Sequence, residues 1–139
     1  IKDAIQPIKV ATGEMCQNRI IFKQFIQENA VDIVQIDSCR IGGLNEILGV
    51  LLLAHKYDKP VWPHAGGVGL CEYVQHIAMI DYLMISCEKN AKRIEYVDHL
   101  HEHFVHPCRV EEGKYLAPLS SGFSIEIKKE TLSNYLYQN

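Results

Sequence analysis

The sequence predicts an α/β fold of parallel strands under helices. Three observations predict it. Short β-branched stretches alternate with amphipathic helical stripes in the order β-α-β-α-β-α-β, the links between them are short, and every strand candidate closes on an ionisable residue. Four such units amount to about half of a (β/α)₈ barrel, which typically takes about 250 residues. A chain of 139 residues fits one domain and can bury a real core.

The elements follow in order. Ile8-Lys9-Val10-Ala11 reads as a strand closed by Thr12-Gly13 and ending at Glu14. From Arg19 to Gln27, the apolar residues Ile20, Ile21, Phe25 and Ile26 make a helical stripe, with Asn18 placed to cap it. A second strand spans Val31 to Ile36 and ends at Asp37. After Gly42-Gly43, the spacing of Leu44, Ile47, Leu48 and Leu51 predicts a second amphipathic helix, closed by Lys59-Pro60. Val61-Trp62 is a very short third strand ending at His64. Gly66, Gly67 and Gly69 lead into a helix from about Leu70 to Ile85. Ile94 and its neighbours make a weak fourth strand ending at Glu95. From about His99 to Asn139 the alternation is lost, and turn signals at His106-Pro107 and Ser121-Gly122 suggest a tail that packs elsewhere.

Composition narrows the function. The chain is 22% charged and 47% hydrophobic, with 14 Lys+Arg against 17 Asp+Glu and a net charge of -3. That balance carries no electrostatic footprint for nucleic acid or an anionic membrane. No apolar run reaches the roughly 18–20 residues of a spanning helix. Five cysteines without a C-x-x-C pair argue against a disulfide scaffold and for a reducing compartment.

Glu14, Asp37, His64 and Glu95 are spaced 23, 27 and 31 residues apart, each about one βα unit. In parallel α/β proteins, the carboxyl ends of the strands form the functional face, so these four side chains can converge on one ligand. A single acid at a strand end is ordinarily a helix cap or a solvated turn residue. Four in register are harder to explain that way. A carboxylate suits a hard cation such as Mg²⁺. An Asp beside a His holds the ring in one tautomer and leaves the other nitrogen free to take a proton.

Several stretches extend this pattern: Ala11-Thr12-Gly13-Glu14, Gln35-Ile36-Asp37-Ser38-Cys39-Arg40, Gly42-Gly43, Pro63-His64-Ala65-Gly66-Gly67-Val68-Gly69-Leu70-Cys71-Glu72 and Glu95-Tyr96-Val97-Asp98-His99-Leu100-His101-Glu102-His103-Phe104. Through them the chain resembles the enolase superfamily in its mandelate racemase branch, and within it the L-fuconate dehydratases. The likeness runs over nearly the whole length and weakens after about Leu116.

The resemblance implies the C-terminal half of a (β/α)₈ TIM-type barrel. Residues 1–98 would hold barrel strands five to eight, and residues 99–139 an irregular C-terminal segment. It implies Glu14 as one of three carboxylate ligands to Mg²⁺. Asp37 would pair with His64, and His64 would abstract the proton α to a substrate carboxylate. Glu95, protonated, would donate a hydrogen bond to the enediolate. The expected reaction converts L-fuconate to 2-dehydro-3-deoxy-L-fuconate and water. Other family reactions stay open: dehydration of a different sugar acid, or racemisation. So does a truncated, non-catalytic half-barrel that works by association. The family's other two metal carboxylates and its Lys-x-Lys motif belong to earlier strands and are not in these 139 residues. The chain alone is therefore expected to be inactive. Its expected partners are a small acid sugar and either another copy of itself or an N-terminal half, with no nucleic acid and no membrane. The expected compartment is intracellular, mitochondrial or cytosolic.

Other features carry less. His99, His101, His103 and His106 form a dense run, and alternation puts the first three on one side of an extended segment. Such a run can bind a transition metal. The resemblance attaches none to it, so it reads as a loop near the barrel mouth. Gly66-Gly67-Val68-Gly69 matches neither phosphate-binding glycine motif and reads as a tight turn that lets His64 approach substrate. Cys16, Cys39 and Cys71 lie near the proposed face and read as small hydrophobes. Lys128, Lys129 and Glu130 read as a solvated terminal face.

Overall fold

In a computed structural model, which describes residues 1–88 and 92–137, the strand candidates lie side by side in chain order. β1 (Ala11–Thr12) pairs in parallel with β2 (Ile33–Val34). Val34 bridges in parallel to Val61, and Asp37 to His64, which sets the third strand beside β2. The Trp62 N–H donates to the Val34 carbonyl at 2.9 Å, and the His64 N–H to the Ile36 carbonyl at 3.0 Å. The weak fourth strand is corrected: residues 92–98 form no regular strand. The stretch is tied to its neighbour by the Glu95 N–H donating to the Pro63 carbonyl at 3.3 Å. Parallel order with a helix in each crossover is the half-barrel arrangement.

The helices cover one side of this sheet. α1 (Arg19–Gln27) is capped by Asn18, whose side chain accepts from the N–H groups of Ile20 and Ile21. Its buried side chains are Phe22 and Ile26, one turn apart, while Ile20 and Phe25 of the expected stripe are exposed. The other two residues of that stripe do face the core, Ile26 buried and Ile21 packed partly buried against it, and Phe22 joins them there. α2 (Leu44–Lys56) buries Ile47, Val50, Leu51 and Ala54 at the i, i+3, i+4, i+7 spacing. The Arg19 N–H donates to Glu46 Oε2 at 2.7 Å, and its guanidinium meets the same carboxylate, joining the starts of the two helices. α3 (Leu70–Ile80) continues as a π-helical turn over Asp81–Ser86. There the buried Asp81 is paired with Lys92. The main core joins Phe22, Ile26, Ile47, Val50, Leu51, Ala54 and Ile77 to Val31, Val34, Ile36 and Val61 of the sheet. Each such large side chain, fully buried, stabilises the fold by roughly 1.5–3 kcal/mol. A nine-residue helix does not hold in water alone, so this burial maintains α1.

The tail is not separate. β3 (Val110–Glu111) and β4 (Lys114–Tyr115) form an antiparallel hairpin. Its turn, Glu112-Gly113, has positive φ at both positions, as a primed two-residue turn requires. A 3-10 turn at His101–His103 replaces the extended segment expected there. Cys108 and Tyr115 pack with Ala65, Leu70, Cys71, Val74 and Ile94 in a second core cluster. Phe123 lies against the rings of Tyr73 and His76 on α3, and the buried Ser124 meets His76. The expectation of a tail packing elsewhere is thereby corrected, because its apolar side chains close over the final unit. α4 (Lys129–Asn134) has no buried residue, in keeping with a solvated terminal face. Among the described residues, no helix is long and apolar enough to cross a membrane.

Candidate active site

Two glycines make room for the polar ends of the strands. Gly13 has φ +136°, a region that disfavours any side chain, and a Cβ there would lie 2.6 Å from the Gln35 carbonyl oxygen. This close approach delivers Glu14 beside the second strand. Farther on, a Cβ on Gly66 would lie 2.7 Å from Nε2 of His64. A bare backbone at 66 leaves the ring its place, which agrees with the tight-turn reading of this loop.

Asp37 is buried, and its carboxylate is held by main chain. Oδ1 accepts the N–H groups of Cys39 at 2.7 Å and Arg40 at 3.2 Å. Its other oxygen, Oδ2, lies 3.0 Å from Nδ1 of His64. A carboxylate oxygen accepts, so Nδ1 is the donor in this pair and Nε2 is the nitrogen turned away from it. Because Asp37 and His64 are bridge partners in the sheet, the side-chain pair follows from the backbone register.

His64 Nε2 faces two more acids, Glu14 Oε2 at 3.5 Å and Glu95 Oε2 at 3.6 Å. The Glu14 side chain is 48% exposed and that of Glu95 39%, so the free nitrogen opens onto an accessible face rather than into the core. The Ala65 N–H donates to Glu95 Oε2 at 2.7 Å, and the Tyr115 hydroxyl donates to the Glu95 carbonyl at 2.6 Å. All four residues singled out by strand-end spacing are therefore together, around one imidazole.

The hairpin residue Tyr115 was missed. It fixes Glu95 from 20 residues away, and no local signal marks such a contact. Burial, first of all, pushes the Tyr115 hydroxyl well above its ordinary value, so it stays a donor. A concavity of about 320 Å³ lies elsewhere, between His106, Pro107, Arg109 and the Leu116–Ser120 stretch, and contains none of the four.

The donor set bears on whether a hard cation could sit here. Three carboxylates surround one imidazole, and among the described residues the ion-pair contact of Glu14 is His64 itself. Among the described residues Glu14 presents oxygen on the accessible side with no Lys or Arg in ion-pair contact. This fits one position in an Mg²⁺ shell, which takes oxygen ligands and shares them with water and substrate.

Comparison with known proteins agrees with the half-barrel fold. The family described as enolase C-terminal domain-like matches residues 1–131. L-galactonate dehydratase of Hypocrea jecorina is 54% identical over 139 residues, covering 99% of this chain and 30% of that protein. Human mitochondrial enolase superfamily member 1 is 50% identical, covering 99% of this chain and 31% of its own length. The crystal structure of that human protein superposes with a TM-score of 0.90 at 51% identity, over 94% of this chain and 30% of the other. L-talarate dehydratase from Polaromonas sp. JS666, complexed with Mg and L-glucarate, shares the fold at a TM-score of 0.73 and 22% identity, over 94% of this chain and 34% of the other. The chain thus spans about three-tenths of the length of the curated relatives it matches most fully.

Proposed function

The chain belongs to the enolase C-terminal domain-like family, and from that premise we propose that it forms part of the active site of an Mg²⁺-dependent acid-sugar dehydratase. L-Fuconate is the favoured substrate, and 2-dehydro-3-deoxy-L-fuconate the product. The observation that carries this reading is the placement of His64, with Nδ1 against Asp37 and Nε2 toward the open face between Glu14 and Glu95.

In this reading, Nε2 of His64 takes the proton from the carbon α to the substrate carboxylate. Asp37 keeps the proton on Nδ1 and stabilises the imidazolium that forms. Glu95, carrying a proton, donates a hydrogen bond where charge builds on the enediolate; in other enzymes one such donor contributes about 2.7–4 kcal/mol. The β-hydroxyl then leaves as water, with His64 returning its proton to it. Glu14 would supply one of the metal's oxygen ligands. Bound Mg²⁺ acts as a Lewis acid toward the substrate carboxylate.

Similarity to the L-galactonate dehydratase supports the choice of substrate. L-Fuconate is L-galactonate without its 6-hydroxyl, so the reacting carbons 2 and 3 have the same configuration in both. L-Galactonate is accordingly the second candidate. In this reading the compartment is intracellular.

The test uses the complete protein encoded by the reading frame that contains this chain. Dehydration of L-fuconate and L-galactonate is followed by formation of the 2-keto product, and α-proton exchange by NMR in D₂O. His64→Asn is expected to lower both by at least about 10³-fold, the larger part of it from loss of the base. Exchange and turnover within tenfold of wild type in His64→Asn would overturn the proposed base. Activity on other acid sugars alone would overturn the substrate.

A further inference from the structure

Away from the quartet, the first turn of α3 meets the tail in a second group of ligating side chains. Cys71, His101 and Cys108 each present a sulfur or nitrogen, and these atoms lie within 4.8 Å of one another. Both cysteines are buried, and His101 is half-buried. Cys108 Sγ is 3.7 Å from His101 Nδ1. Around tetrahedral zinc, with sulfur at about 2.3 Å and imidazole nitrogen at about 2.0 Å, neighbouring donors sit about 3.5–3.8 Å apart. The Cys108–His101 pair has that spacing, and the third donor lies within 4.8 Å of both.

Glu72 supplies an independent observation. It is wholly buried, with Oε1 2.6 Å from His101 Nδ1 and accepting the Cys108 N–H at 3.3 Å. Its second oxygen, Oε2, is buried and has no hydrogen-bond partner among the described residues. A buried carboxylate oxygen left bare is costly and calls for a cation or other partner. On the far side of the ring, His101 Nε2 donates to the Val97 carbonyl at 2.9 Å. Metal-bound histidines commonly make this bond, because it fixes the tautomer and turns the other nitrogen to the metal. Nδ1 is then the nitrogen that faces Glu72 and Cys108. Without a metal it must carry a second proton to meet the carboxylate, and a cation would take that proton's place.

We propose that Cys71, Cys108 and His101, with the buried Glu72 beside them, form a structural site for a soft divalent cation of the zinc class. Two thiolates and an imidazole select such an ion over Mg²⁺, whose ligands are oxygens. The donors come from α3 and from the tail, and both sulfurs are buried, so an ion held there would act as a clamp between the two segments. On binding, each thiol releases a proton to solvent.

The site would pin the tail to α3 and stiffen the end of the last barrel unit. Cys71 Sγ contacts the Ala65 and Val97 carbonyls and accepts the Val97 N–H at 3.4 Å. Ala65 in turn holds Glu95. Neither the ion nor its ligands depend on the dehydratase reading.

The test is a titration of the complete protein, reduced and stripped of metal, with Co²⁺. One equivalent is expected to give sulfur-to-cobalt charge transfer in the near ultraviolet and the intense visible bands of tetrahedral cobalt, both removed by one equivalent of Zn²⁺. Cys71→Ser and Cys108→Ser should abolish the charge transfer, His101→Gln should weaken binding at least tenfold, and Cys16→Ser should leave it unchanged. The wild-type titration needs no variant to fold. Absence of thiolate charge transfer at stoichiometric Co²⁺ would overturn the proposal. So would its persistence in Cys108→Ser, or a thiol count showing that Cys71 and Cys108 are joined as a disulfide.

Discussion

Gly66 shows how narrowly one residue can be constrained by another. A methyl group there meets Nε2 of His64 at 2.7 Å and Cε1 at 2.9 Å, well inside contact distance, so either the ring or the loop must move. Overpacking of this kind costs about 1–3 kcal/mol when it is relieved by local shifts. Gly66→Ala is therefore expected to reduce kcat at least tenfold in the complete protein while lowering Tm by only a few degrees; kinetics and thermal unfolding followed by circular dichroism check both. Glu14, Asp37 and His64 were legible because a strand end is a local signal, each closing a short stretch with β-branched residues, whereas Glu95 was reached through the unit spacing alone. Cys71 was read as a small hydrophobe for the opposite reason. Its neighbours His101 and Cys108 arrive from 30 and 37 residues downstream, after a tail whose path no periodicity describes.

Elements were legible where one face is apolar. The two stripes placed α1 at its observed bounds and α2 at its observed start, since helical burial repeats over several turns. The hairpin β3–β4 went unread because each strand has two residues, too few for an alternating pattern, although Glu112-Gly113 is a turn signal in plain view. The start of the sheet has its own device. Asp32 accepts the Val10 N–H at 2.9 Å and pairs with Lys2 at 2.9 Å, tying the approach to β1 to that of β2. The Val10 bond first, and Lys2 next, hold the Asp32 carboxyl below its ordinary value of 3.8. A carboxyl lowered in the folded state adds stability that is fully present above the unfolded value and is lost as pH falls through the folded one. Asp32→Asn should thus lower Tm slightly at neutral pH, and the gap from wild type should close as pH drops below about 3.8. A gap unchanged down to pH 2 would show that Asp32 acts through packing instead.

At the scale of the molecule, half a barrel has two open sides. Ala11 and Thr12 are exposed, β1 pairs with β2 alone among the described strands, and large apolar side chains such as Leu52, Leu83 and Met84 stand more than half exposed. Unpaired strand edges and apolar faces of this kind drive association. The 139-residue chain expressed by itself is expected to self-associate with rising concentration in analytical ultracentrifugation, and to show no L-fuconate turnover above background. A monomeric, active chain would contradict both expectations. The parallel bridge between Asp37 and His64 reaches further than either. Main chain, not loop, brings the imidazole and its carboxylate face to face, so the loops around them can be rewritten without disturbing their alignment. A lineage built on this half-barrel can change its loops while inheriting the same Asp–His pair intact.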